Sequence, residues 1–369
     1  MTLERIQRLK VLQRAAGIDY TAIVPGPNLL YFTGLHMHLS ERPIVALIPS
    51  DESHPILVAP FFELGKAQAA PVKLDWNFYS YKDGEAYQDA FDKAAKAHKL
   101  NGKTIGVEPT QMRVLEWSLL SHAAKVKQAS AEPIVKQLRM VKDAGEIEAM
   151  RKAIRLTEHV FSQLLEEITV GMTERQIASK MMNKMMESGA HAIAFGPLIQ
   201  SGPNASNPHG VVGDRKIQSG ELLLFDFGLT LDDYSSDLTR TVSLGDPSAE
   251  MKQIYEVVKA ANAAGRAAVK PGVTGADIDR AARKVIDDAG YGEYFTHRTG
   301  HGLGLEIHEA PYMVSDETTK LKPGMTFTIE PGIYLPGVGG VRIEDNVVVT
   351  ETGGESLSSF TRDLLILGQ

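Results

Sequence analysis

The sequence predicts an α+β protein of two domains. Three observations carry this reading: a length of 369 residues, alternating helix and strand signals as far as residue 130, and a helix–helix–strand–strand pattern that occurs twice beyond it. The 43% hydrophobic and 23% charged residues are those of an ordinary globular chain with ample length for a core.

In chain order, a helix from Leu3 to about Ala16 precedes a strand Thr21–Val24, and the Asn101-Gly102 turn launches a strand Thr104–Val107. A basic stretch from Lys125 to Lys142 leads to Asp143, which with Glu146 forms a capping-box signature. Ile147, Met150, Ile154, Phe161, Leu164 and Ile168 then keep one helical face apolar. The domain boundary is placed just before this helix, giving an N-terminal domain of residues 1–134 and a C-terminal domain of residues 135–369.

The second part repeats itself. Gly171-Met-Thr-Glu-Arg-Gln-Ile resembles Gly272-Val-Thr-Gly-Ala-Asp-Ile, and each starts a helix capped by Thr173 or Thr274 that ends near Gly189 or Gly290. Each then leads to a strand opened by glycine, Gly220 to Asp226 and Gly324 to Glu330, with a carboxylate six residues after that glycine. The shared order reads as a duplicated half-domain, the halves meeting along a joint sheet with both carboxylates facing the seam. Met181, Met182, Met185 and Met186 read as helix core rather than as a binding surface.

Composition excludes several function classes. A formal net charge of −7 disfavours nucleic acid and anionic membranes as partners. No run of about 18 apolar residues occurs, and the charged amphipathic N-terminus lacks the apolar core of a signal peptide. A cytoplasmic location is expected. The absence of cysteine removes disulfides, thiolate metal sites and cysteine nucleophiles, so any metal must be held by histidine and carboxylates.

Such a set is present. Asp226 ends the apolar run Leu222–Phe225, and a hairpin centred between Leu231 and Asp232 would place it opposite Asp237. A second hairpin centred on Gly337 would oppose Glu330 and Glu344 across a ladder that Pro331 interrupts. Paired carboxylates repel unless a proton or cation lies between them. A salt bridge to Arg342 could satisfy one of the four acids, but not all of them. The segment His297-Arg-Thr-Gly-His301-Gly-Leu-Gly-Leu-Glu-Ile-His308-Glu adds imidazoles beside the acids, and glycines that let the backbone approach closely. Four carboxylates and one imidazole make a hard, oxygen-rich site that two divalent ions would balance, and such ligands suit Mn²⁺, Co²⁺ or Zn²⁺.

Asp226-Phe-Gly, Tyr234-Ser-Ser-Asp237-Leu-Thr-Arg-Thr, Gly300-His-Gly-Leu-Gly-Leu-Glu-Ile-His308-Glu, Glu330-Pro-Gly-Ile-Tyr334 and Gly340-Val-Arg-Ile-Glu344-Asp together resemble the pita-bread metallopeptidases, in the branch of Xaa-Pro dipeptidases (prolidases) and aminopeptidases P. Asn207-Pro-His209-Gly matches the upstream histidine motif, and Pro25-Gly-Pro-Asn-Leu-Leu-Tyr31-Phe-Thr-Gly34 resembles the accessory domain of the same branch. The resemblance implies a C-terminal pita-bread domain of two pseudo-twofold ααββ halves behind a smaller α/β creatinase-like domain. It implies that Asp226 binds one metal, His301 and Glu330 the other, and that Asp237 and Glu344 bridge them. Glu330 would shuttle the proton of a metal-bridging hydroxide, with His308 and His209 also catalytic. His209, His297, His308, Tyr334 and Arg342 fall on substrate-binding positions. The implied activity is hydrolysis of Xaa-Pro dipeptides by a homodimer.

Ala194-Phe-Gly-Pro-Leu-Ile-Gln-Ser-Gly202 departs from the family pattern near the substrate cleft. Alternatives are an aminopeptidase P acting on longer Xaa-Pro peptides, another enzyme on the same scaffold such as a creatinase-like amidine hydrolase or a carbon–sulfur lyase, and a non-catalytic interaction module.

Overall fold

The structure is a computed structural model that describes residues 2–70, 72 and 74–368. It divides into two compact units, residues 1–139 and 140–369.

The first unit carries a six-stranded mixed sheet built from β1 (Tyr20–Ile23), β2 (Val45–Pro49), β3 (Ile56–Pro60), β4 (Asn77–Tyr81), β5 (Thr104–Val107) and β6 (Lys127–Ser130), in the order β4-β3-β2-β1-β5-β6. Strands β1, β2 and β3 are buried along their whole length, so they read as continuous apolar runs rather than as alternating ones. The first helix spans Thr2–Ala15, and β5 occupies the residues expected after the Asn101-Gly102 turn. The Pro25–Gly34 segment becomes a short helix, Pro27–Thr33, closed by Gly34 at φ 71° with its N–H on the Leu30 carbonyl.

The second unit opens with the helix Ala144–Leu165. Asp143 and Glu146 cap it reciprocally, as their spacing predicts. The internal repeat holds at the level of single hydrogen bonds. Thr173 and Thr274 each cap a 14-residue helix through a capping box, and each forms an isolated bridge to a lysine, Lys216 or Lys320. Gly171 N–H bonds Ile217 O and Gly272 N–H bonds Leu321 O, both at 2.9 Å. Of the methionine cluster, only Met181 and Met185 are core; Met182 and Met186 are 37% and 74% exposed, because a single helical face reaches the sheet.

The strands of this unit are β7 (Ala192–Ser201), β8 (Glu221–Leu231), β9 (Tyr234–Ser235), β10 (Leu238–Leu244), β11 (Gly300–Gly302), β12 (Glu309–Met313), β13 (Thr326–Ile329), β14 (Gly332–Leu335), β15 (Gly339–Arg342), β16 (Asp345–Val349), β17 (Gly354–Ser356) and β18 (Ile366–Leu367). The expected joint sheet is instead two five-stranded sheets, β18-β10-β8-β7 with β9 on β8, and β12-β11-β13-β16-β17, beside the β14-β15 hairpin. At the seam, side chains of β10 replace most of a backbone ladder. Glu344 N–H bonds the Thr239 carbonyl at 3.1 Å, while the Thr241 hydroxyl bonds Arg342 O at 3.0 Å. Asn346 bridges to the backbone of Asp237.

Alternation along the strands decides which way each acid points. Leu223, Phe225, Phe227 and Leu229 pack into one core with Phe161, Leu164, Met181 and Met185. Phe327, Ile329, Val347 and Val349 pack into another with Val269 and Ile278. The intervening residues, among them Asp226, face the opposite side.

Arg240, 1% exposed, is the main lock of the seam. Its guanidinium donates to Thr239 O, Phe360 O and Thr361 O at 2.9 Å, to Glu344 O, and to Asp345 Oδ1 at 2.9 Å. Asp345 keeps Arg362 at 2.7 Å, but the carbonyls of Thr239, Glu344, Phe360 and Thr361 would lose the donor they share, so Arg240→Met should lower the unfolding free energy by roughly 2–4 kcal/mol. Urea unfolding checks this, and a change within error of zero would remove Arg240 from that role.

Candidate metal centre

The five predicted acid and imidazole ligands line one cavity of about 800 Å³, together with His209, His297, His308 and Arg342. Tyr334, buried behind it, bonds both His297 and Arg342.

The registers explain the convergence. On β13–β16, Ile329 pairs with Asp345, and on β14–β15, Gly332 pairs with Arg342. Glu330 and Glu344 therefore stand opposite each other in the gap between two ladders of one Gly337-centred register, with Pro331 in the break, as the sequence predicts. For the first pair the register differs. Asp226 pairs with Thr239, not Asp237, because the turn is Asp232-Asp233, with φ of 50° and 70°, one position beyond the expected centre. The resulting shift is an even number of residues, so Asp237 keeps the face of Asp226 and lies diagonal to it.

His301 is the middle residue of β11 and 2% exposed. Its flanking glycines are required by close packing: a Cβ on Gly300 would lie 1.9 Å from Thr328 O, and one on Gly302 would lie 2.3 Å from Ala310 O. His301 Nδ1 lies 3.1 Å from the Gly302 carbonyl, which can only accept, so Nδ1 carries the proton and Nε2 offers a lone pair. That lone pair faces carboxylates, Glu330 Oε1 at 3.3 Å and Asp237 Oδ2 at 3.6 Å. Burial, and the positive charges near it, hold His301 well below its usual pKa, so it is neutral.

Acceptors thus converge on one another. Asp226 Oδ1, Asp237 Oδ1 and Glu344 Oε1 are buried without a hydrogen-bond partner. One ligand atom each from Asp237, His301 and Glu344 falls within 4.8 Å of the others. Burial and then mutual repulsion push Asp237 and Glu344 well above the usual carboxylate range, and burial raises Glu330 to about 7. Buried polar atoms are normally paired; a set of orphaned oxygens facing a bare imidazole nitrogen fits a divalent cation site.

Arg342 offsets part of the acid charge. It donates to Asp226 Oδ2 at 2.6 Å, to Thr239 Oγ1 at 3.1 Å and to the Tyr334 hydroxyl at 2.7 Å. It pairs with Asp226 rather than with either glutamate, while Glu344 Oε2 takes the Thr239 hydroxyl at 2.7 Å. His297 Nδ1 is bound to Arg298 O at 2.7 Å, so its Nε2 accepts from Tyr334 at 2.8 Å. Burial first, then the Arg342 charge, lowers His297 to about 3, which keeps it neutral. His308 and His209 are exposed to the cavity, and the His308 ring stacks edge-on against His301 with centroids 4.2 Å apart.

Sequence reasoning placed the segment of Phe195 and Leu198 near the substrate cleft without naming either as cavity wall, and it gave no role to Pro208, Ile307 or Arg298, which also line the cavity. Phe195 and Leu198 belong to the segment that departs from the family pattern, where β7 is doubly bulged against β8. Arg298 was legible only as the neighbour of His297.

Comparison with known proteins follows the same division. Residues 148–351 match the model of metallopeptidase family M24, and residues 5–141 match the creatinase/prolidase N-terminal domain. The chain is 36% identical to the Xaa-Pro dipeptidase of Pyrococcus furiosus, covering 98% of this chain and 99% of that one. It is similar to the crystal structure of a dipeptidase from Pyrococcus horikoshii, with TM-score 0.92 and 39% identity over 98% of this chain and 100% of that one. An X-Pro aminopeptidase from Thermotoga maritima gives TM-score 0.86 and 33% identity over 98% and 99% of the two chains.

The raised acids set a pH signature for metal-free protein. A carboxyl group whose pKa is raised in the fold contributes stability below its unfolded value, about 4.3 for glutamate, and that contribution is lost as pH rises through the folded value. Metal-free Glu344→Gln should therefore match the wild type in Tm near pH 4.5 and exceed it at pH 8. Saturating Mn²⁺ should reverse the order at pH 8, because the amide is a poorer ligand. Calorimetry on chelated and loaded protein reads both arms; a variant below wild type in both states at pH 8 would contradict this.

Proposed function

The chain belongs to metallopeptidase family M24, preceded by the creatinase/prolidase N-terminal domain, and from that premise we propose that it hydrolyses Xaa-Pro dipeptides with two divalent ions. Asp226, Asp237, His301, Glu330 and Glu344 would hold the ions, manganese before cobalt or zinc. The observation that carries this reading is the set of partnerless buried oxygens on Asp226, Asp237 and Glu344 facing the bare Nε2 of His301.

When bound, such ions supply Lewis acidity toward the scissile carbonyl and a nucleophile from water at neutral pH. The chain's own residues do the rest. Glu330 lines the cavity, where a carboxylate can take a proton from water and pass it on. The bond to proline is a tertiary amide with no N–H, so recognition rests on the shape of the ring. Phe195, Leu198, Pro208 and Ile307 offer it an apolar wall with His209 beside them. His308 stands free in the cavity, where an imidazole N–H can meet the oxyanion. Arg342, Tyr334 and His297 form a hydrogen-bonded row that fixes the floor. A homodimer in the cytoplasm is part of this proposal.

Likeness to the Thermotoga maritima X-Pro aminopeptidase supports a second reading, removal of the first residue from longer Xaa-Pro peptides. Elemental analysis combined with hydrolysis of Ala-Pro tests the main reading. About two ions per active chain, with activity lost on chelation and restored by Mn²⁺, is the expected result. One ion or none in fully active enzyme would sink the two-metal centre, and loaded enzyme inert toward every Xaa-Pro peptide would turn attention to lyase or amidine substrates.

Glu330→Gln should lower kcat by roughly 10²–10⁴-fold, because an amide cannot accept the proton; a fully metal-loaded variant with most of its kcat would exclude Glu330 from proton transfer. His308→Ala should lower kcat more than it raises KM, since the oxyanion exists only in the transition state. The reverse split, read from steady-state kinetics, would reassign His308 to ground-state binding.

A further inference from the structure

Glu174 is wholly buried, and the proposed reaction makes no use of it. It opens the helix Glu174–Glu187, where the helix N-terminus favours a carboxylate. Thr173 and Gln176 cap that helix without it. Its two oxygens instead collect four donors from one stretch of chain. Oε1 accepts from Ser201 N–H at 2.8 Å, from the Ser201 hydroxyl at 2.9 Å and from Asn204 Nδ2 at 3.0 Å. Oε2 accepts from Gly213 N–H at 3.1 Å.

The segment that these donors enclose carries Pro208 and His209, both of which line the cavity. Past the short turn Gly202–Ser206, residues 207–213 form neither helix nor strand, and Val211 is 89% exposed. Such a stretch has little burial of its own to fix it. One further contact steadies it. A Cβ on Gly210 would lie 1.6 Å from Gln200 Nε2, so the backbone just after His209 rests on the buried Gln200 side chain.

The internal repeat shows what the carboxylate replaces. In the second copy the residues after His308 form β12, which pairs with β11, Tyr312 opposite His301 and Met313 opposite Gly300. The place of Glu174 is taken there by Gly275, directly after the cap Thr274, and a Cβ on it would lie 2.2 Å from Tyr312 O. Main chain thus fills the space beside that helix end. In the first copy no strand lies between His209 and the Lys216 bridge, and the Glu174 side chain occupies the equivalent position. One copy fixes its cavity histidine with a backbone ladder, the other with a buried carboxylate. We propose that Glu174 is a positioning residue that holds the Ser201–Gly213 segment so that Pro208 and His209 meet the proline ring; this rests on the Xaa-Pro reading and deepens it.

The test is a double-mutant cycle on Mn²⁺-loaded enzyme: wild type, Glu174→Gln, His209→Ala and both together, assayed with Ala-Pro and Ala-Pro-Ala. Glutamine keeps the shape but turns one acceptor into a donor, so one end of the segment loses its partner. Glu174→Gln should lower kcat/KM by roughly 10-fold, the size of one hydrogen bond to a charged group. Most of the loss should lie in KM, whereas a partly unfolded sample would lose apparent kcat and keep its KM. Because Glu174 works through His209, adding the change to His209→Ala should alter kcat/KM by less than about twofold. Asn204→Ala removes one donor from the segment's side and should follow the same pattern, which keeps the test open if Glu174→Gln folds poorly. Hydrogen exchange needs no substrate: amides of residues 207–213 should exchange about 10-fold faster in Glu174→Gln, with those of β12 unchanged. An additive cycle, or unchanged exchange in residues 207–213, would overturn the proposal while leaving Xaa-Pro hydrolysis standing. A loaded wild type silent toward both peptides would overturn the parent reading and this one with it.

Discussion

The second unit is organised around the repulsion among four carboxylates that the fold brings together with too little positive charge to balance them. Among the described residues Arg342 is the one permanently charged cation in direct contact with the group, and of the four acids it reaches Asp226 alone. Asp237 and Glu344 remain at 4% and 1% exposure with an oxygen each left unbonded. Burying an unpaired carboxylate costs several kcal/mol, and a native fold tolerates this where a bound ion or a function returns the free energy. The rest of the unit holds the acids still against that repulsion. Helices cover the outer faces of the two sheets, alternation turns the acids to the inner faces, and Arg240 ties the backbone of Thr239 to that of Glu344.

How much of this the sequence discloses depends on which physical rule governs each residue. Capping boxes are local, and Asp143, Thr173 and Thr274 were legible to the residue. The Gly337 hairpin was legible because a loop rich in glycine leaves one centre of symmetry, and its register carries through the Pro331 break. The Asp226 hairpin was not, since the turn settles on Asp232-Asp233, two residues that accept left-handed backbone, and nothing in the flanking apolar pattern fixes that centre. The error was harmless to the site because an even shift preserves the face. The joint sheet was a different kind of miss. Whether neighbouring strands share a ladder or a row of side-chain bridges depends on Thr239, Thr241 and Asn346 across long sequence separations, which periodicity does not report.

The imidazoles show why position alone does not define a role. His297, His301 and His308 look equivalent in the sequence, a single segment rich in glycine. In the fold, His301 and His297 each spend Nδ1 on a carbonyl, but the freed Nε2 of one faces carboxylates and that of the other takes a tyrosine hydroxyl. The first is left able to bind a cation. The second is a buried base with both ring nitrogens hydrogen-bonded. His308 has neither constraint and remains open to the cavity. The tautomers follow from carbonyl partners, and these belong to the backbone path rather than to residue type.

The same reasoning separates the two arginines. Arg342 sits among the acids, and the sequence offered it both as a partner for one of the four and as a substrate-binding position. Asp226, Thr239 and Tyr334 take three of its five N–H donors, and releasing it would leave Asp226 unpaired in a crowded acid cluster. Arg298, at the edge of the same cavity, has a cation–π contact with Tyr312 and no ion pair with a carboxylate among the described residues. Arg342 therefore lowers the field of the acids by direct contact, whereas Arg298 acts across the cavity, lowering His308 and offsetting the rise in Glu330. A direct pair fixes one carboxylate in place; a charge at a distance shifts every group that faces it.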